Sequence, residues 1–120
     1  MYAAALFKTM EEAGVAVLTL VEGLQDTELL ASRLTRQEVR RQMRLMLEAA
    51  AALPSEMRQA MPEVDWIGMA SVGKALAGSA GPDLDEAMVF GSRALTPAFM
   101  MWLRVYRQQH PDWFKMQWRG

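Results

Sequence analysis

The chain has 120 residues, no cysteine and a net charge of −1, which bounds it to one domain and excludes disulfides, thiolate metal sites and cysteine nucleophiles. Its single histidine, His110, leaves a transition-metal site short of ligands, so neither a metal nor a cofactor is expected. Hydrophobic residues make up 52% of the chain, above the usual share of about 45–50%, and the surplus predicts a surface that pairs with another copy.

The longest apolar run, Ala13 to Val21, includes Gly14 and Thr19 and falls short of the roughly 20 residues that span a bilayer. Near the N-terminus the apolar residues precede Lys8, and Glu11 and Glu12 follow it, the wrong order for a secretion signal. The expectation is a soluble, cytoplasmic protein without membrane contact. Charge alternates along the chain: residues 1–32 and 63–92 are net acidic, 33–62 and 93–120 net basic. Such blocks can steer an RNA or a charged partner.

The first helix is predicted from about Ala3 to Glu22, because Leu6, Met10, Ala13, Val17, Val21 and Leu24 recur at spacings of three and four. Gly23 supplies its stop, and Gln25 to Leu34 is predicted as a connector. A second helix opens at Thr35, where Thr-Arg-Gln-Glu has the form of a capping box closed by Glu38. Its stripe is Val39, Met43, Met46, Ala50 and Leu53, with Arg40, Arg41, Arg44 and Glu48 on the opposite face. Pro54 ends it, and Ser55 to Met61 is predicted as a short helical turn.

A third helix is predicted from near Asp65 to Ala77, weakened by Gly68 and Gly73. The loop 78–82 leads to a fourth, capped by Asp83 and kinked by Pro97 near Arg93 to Thr96. The fold class is therefore all-α, an antiparallel four-helix bundle with an extra short helical turn. It covers residues 1–109, and an aromatic and basic extension covers 110–120. The eleven methionines are read as core or dimer packing.

Two stretches carry a resemblance to a known family. Met46 to Pro54 ends a helix in Glu48-Ala-Ala-Ala-Ala-Leu-Pro, and Met61-Pro-Glu-Val-Asp-Trp66 follows at short distance. This frame resembles the HepT-like (DUF86) branch of the HEPN superfamily, in which a helix ending in Leu-Pro precedes Pro-x-hydrophobic-x-Trp. The resemblance implies a helical bundle of HEPN type that pairs as a homodimer. Two such bundles bring an Arg and a His from each subunit into a cleft that cuts RNA without metal. It also implies a minimal nucleotidyltransferase as the antitoxin-like partner. Laid on this chain, the family's Arg falls at Val72 or Gly73, its His at Ala77 and its Tyr at Ser79. Neither replacement can exchange a proton near neutral pH or grip a phosphate, so the resemblance implies a binding protein whose ribonuclease site has degenerated.

Around that frame, Glu48 matches the family's recurring Glu and Lys74 is the only cation on its helix, which makes both candidates for the old cleft. Arg40, Arg41 and Arg44 are candidates for binding RNA phosphate or an acidic partner, or form a solvated face among glutamates. Trp66, Trp113, Phe114 and Trp118 are candidates for an interface with a neighbouring subunit. Two other readings stay open: a ribonuclease that works with Lys74, the Arg40 to Arg44 face and His110, and a stand-alone RNA-binding module.

Overall fold

The computed structural model describes residues 3–115, and the chain is all-α over them. Seven α-helices follow one another: α1 (Ala3–Val21), α2 (Asp26–Ala31), α3 (Arg33–Ala51), α4 (Ser55–Gln59), α5 (Trp66–Leu76), α6 (Pro82–Phe90) and α7 (Thr96–Gln109). A π turn (Gly91–Leu95) joins α6 to α7, and a 3₁₀ turn (Pro111–Phe114) follows α7. None of the described helices is long and apolar enough to cross a membrane.

The long helices α1 and α3 make the most extensive contact, because each carries one continuous apolar stripe. Met10, Ala13, Val17 and Val21 are buried on α1, and Val39, Met43, Met46 and Ala50 on α3, as their spacing predicts. Phe7, absent from the predicted stripe, is fully buried, while Leu6 only packs against the core edge. Full burial of such side chains stabilises by about 1.5–3 kcal/mol each. Cross-helix pairs fix the directions. Arg93 donates to the Val21 carbonyl and Arg107 pairs with Glu11, so α7 runs antiparallel to α1. Arg40 meets the Leu76 carbonyl, and Gly73 lies opposite Leu47, so α5 runs antiparallel to α3.

Several boundaries differ from expectation for local reasons. Helix α3 starts at Arg33, not Thr35, and the predicted capping box does not form. The Glu38 carboxylate accepts instead from Arg41 and Gln42, and the Ser32 hydroxyl donates to Thr35. The predicted connector carries its own helix, α2, whose Leu29 is fully buried. At its start the Glu28 side chain reaches back to the Gln25 amide. Helix α6 begins one residue before the predicted cap, with Pro82 in the first turn and Gly81 as N-cap; a proline's missing N–H costs nothing there. Gly23 has φ +76° and ends α1 as predicted.

Where Pro97 predicts a kink, the helix widens into the π turn. The Thr96 amide and hydroxyl both donate to the Gly91 carbonyl, the latter at 2.7 Å, and the Ser92 hydroxyl donates to the Met88 carbonyl at 2.7 Å. Ser92 and Thr96 are buried polar residues, and these bonds offset the cost of burying them. Gly91 lets α3 and α5 close on this turn: a Cβ there would lie 2.8 Å from Met43 Sδ and 3.2 Å from Val72 Cγ1.

The largest departure is at the C-terminal end. Trp113 and Phe114, expected on a neighbouring subunit, pack against their own chain. The Phe114 ring stacks on fully buried Phe7 at 4.3 Å, and Trp113 stacks on Tyr106 at 6.1 Å and on His110 at 3.9 Å. The Arg107 guanidinium covers the outer face of Phe114, 4.6 Å from the ring centre, a cation–π contact. The 3₁₀ turn thus belongs to the helical domain rather than to an extension beyond it. Trp118 lies outside the described residues.

Candidate functional site

Helix α5 carries the positions at which the resemblance places catalytic groups, and two depressions flank it. On one side, α5 and α6 enclose a groove of about 580 Å³ whose lining includes Val72, Lys74, Ser79, Asp83, Glu86 and Phe90. On the other, α3, α4 and α5 line a half-open cavity of about 290 Å³ that includes Glu48, Arg58, Trp66 and Gly73. Asp65 caps α5 by accepting from the Gly68 amide at 2.9 Å, an arrangement worth about 1 kcal/mol.

The two sequence-predicted cleft residues are not brought together, since Lys74 borders the first depression and Glu48 the second. Glu48 is exposed and stands 3.9 Å from Arg44, one helical turn away. Val72 is buried and points toward Gly91 of the π turn, so its side chain serves the core. Gly73 is half-buried, and Ala77 and Ser79 are exposed at the C-terminal end of α5 and in the loop beyond. His110 is stacked flat on Trp113 at the far end of α7.

The arginine face of α3 is largely committed to its own chain. Arg40 Nε donates to the Leu76 carbonyl at 2.8 Å and its Nη2 to the Gly78 carbonyl at 2.9 Å, so the guanidinium caps the C-terminal end of α5, where orphan carbonyls concentrate negative potential. Arg41 holds Glu38 through two hydrogen bonds, at 2.7 and 3.1 Å. These bonds, with a further one from Gln42, lower the Glu38 carboxyl to about 2, and the same pairing raises Arg41. Arg44, exposed beside Glu48, has the loosest pairing of the three. All three arginines count onto one outward face of α3, yet Arg40 folds back onto a helix end far away in sequence.

Trp66 is half-buried against the core, and its indole N–H donates to the Met61 carbonyl at 3.0 Å. That bond ties the α4–α5 connection to the start of α5. The sequence missed Arg58 and its cavity. The available signal was Gly73, a glycine inside a helix at a position that needs no unusual backbone. A Cβ built there meets only Leu47 Cδ1, at 3.9 Å. Gly73→Ala should therefore stabilise the fold by up to about 1 kcal/mol through helix propensity, measured by urea denaturation; a lower midpoint would show that the backbone there needs glycine.

Compared with protein-family models, with curated proteins and with solved structures, the chain matches none.

Proposed function

We propose that this chain is a HepT-like four-helix bundle of HEPN type whose ribonuclease site has degenerated. In this reading it is a cytoplasmic homodimer, the binding component of a toxin–antitoxin-type pair with a minimal nucleotidyltransferase as its partner. The observation that carries the reading is the content of α5 behind its Leu-Pro and Pro-x-hydrophobic-x-Trp frame. Val72, Gly73 and Ala77 stand where the family keeps an Arg and a His. Cleavage of RNA needs a proton acceptor, a proton donor and a cation for the developing phosphorane charge. Buried Val72, a glycine and an alanine supply none of these, and His110 is stacked on Trp113 of the turn that packs against α1 and α7. Arg40 and Arg41 are engaged with carbonyls and with Glu38, which favours a protein partner over RNA.

The groove between α5 and α6 supports self-pairing. Phe90, 44% exposed, lines the groove together with Lys74, Asp83 and Glu86, which bring both charges to it, and Ile67, 86% exposed, adjoins the lining residue Gly68 in sequence. A face with apolar contacts and both signs of charge can complement itself across a two-fold axis. Such an interface should bury more than roughly 1,000 Å². Light scattering should report twice the 13.5 kDa chain mass for the wild type and a single chain for Ile67→Lys/Phe90→Asp. A wild-type protein that is monomeric at micromolar concentration would overturn the dimer.

A further inference from the structure

We propose that the cavity between α3, α4 and α5 binds a small monocarboxylate with an apolar body, held by the Arg58 guanidinium. Among the described residues four arginines are half-buried: Arg36, Arg40, Arg58 and Arg93. Three of them spend their donors within the chain. Arg36 pairs with Asp85 and donates to the Leu30 carbonyl, Arg40 caps α5, and Arg93 pairs with Asp26 and donates to the carbonyls of Val21 and Leu24. Arg58 lines the cavity, its Nε is buried without an acceptor, and no described residue forms an ion pair with it. Its Nε is closed to a ligand atom, but a half-buried guanidinium with no partner among the described residues still suits a carboxylate, whose two oxygens match the paired terminal N–H groups of the fork.

Gly73 is the independent second observation. It weakens α5, its backbone is ordinary, and a Cβ would find room, so neither packing nor conformation calls for glycine. What its missing side chain does is keep the cavity open. The other walls define the ligand's body. Leu47, Trp66 and Met69 are apolar, which suits an aromatic or branched hydrocarbon group. The volume of about 290 Å³ limits it to a small molecule, at the low end of ordinary ligand sites. Glu48 lines the same cavity and would repel a second negative charge. That selects a monoanion over a phosphate dianion.

Phenylacetate is a suitable probe, with phenylacetamide as its neutral counterpart and phenyl phosphate as the dianion. Titration of the full chain, followed by the Trp66 indole and Arg58 Nε–H signals in nitrogen-15 spectra, should give saturable shifts with phenylacetate, with a dissociation constant on the order of 1 mM. Arg58→Gln should weaken binding at least tenfold, and Arg58→Lys, which keeps the charge but loses the fork, should weaken it as well. Gly73→Leu, which fills the cavity while keeping Arg58 in the sequence, should abolish the shifts while the far-ultraviolet circular dichroism stays helical. If Arg58→Gln loses its helical signal, Arg58→Lys and Gly73→Leu decide the outcome. Equal affinity for phenylacetamide, tighter binding of phenyl phosphate, undiminished binding by Arg58→Lys and Gly73→Leu, or no saturable shift in the wild type would each overturn the proposal.

Discussion

Trp113→Ala/Phe114→Ala is expected to lower the stability of the fold by about 3–5 kcal/mol and its melting temperature by roughly 10–20 °C. The physical reason lies in Phe7, which is 0% exposed because the Phe114 ring lies on it at 4.3 Å. Without that cover a large aromatic at the start of α1 meets water, and the Trp113 stack on Tyr106 is lost as well. Arg107 loses its place above the Phe114 ring, although its pair with Glu11 can persist. The loss is a large share of the roughly 5–15 kcal/mol available to a domain. A melting curve followed by circular dichroism reads it directly. An unchanged melting temperature with weaker self-association would instead return these aromatics to a subunit interface.

Arg93→Ala is expected to cost about 2–4 kcal/mol. One guanidinium joins three acceptors at the junction of α1 and α2: the Val21 carbonyl at 3.0 Å, the Leu24 carbonyl, and the Asp26 carboxylate at 3.0 Å. It thereby fastens the end of α1 to the π turn, 72 residues later in sequence. A lysine offers a single ammonium and cannot reach in three directions at once, so Arg93→Lys should recover only part of the loss. Chemical denaturation of both variants tests this. A full recovery by lysine would show that charge, rather than the fork, carries the junction.

These two clusters also show where the sequence is legible. The stripe Val39, Met43, Met46, Ala50 and Leu53 is buried throughout, because a period near 3.6 is a local property that any reader of the chain can count. Pro97 marks the place of an irregularity near Arg93 to Thr96, read as a kink and found as a π turn, and the end of α1 at Gly23 is local as well. Long-range pairing is not. Nothing around Arg93 in sequence points to Val21, and nothing around Phe114 points to Phe7, so the C-terminal aromatics could be read only as an uncovered surface. The same limit applied to the site. Arg40 counts correctly onto the outer face of α3, yet its long side chain reaches back to the C-terminal carbonyls of α5. Arg58 sits on a five-residue helix too short to have a readable face.

The proposed loss of catalysis is tested most directly by incubating the purified protein with total RNA and with transfer RNA and measuring cleavage against buffer. A proton-transfer group is worth typically about 10²–10⁴ in rate, and a donor that stabilises developing charge about 10²–10³. With Val72, Gly73 and Ala77 in place of both, the expected result is RNA that stays intact at the background rate. Cleavage above background that disappears in Lys74→Ala or His110→Ala would contradict the degenerate site and make this protein a ribonuclease with unusual residues.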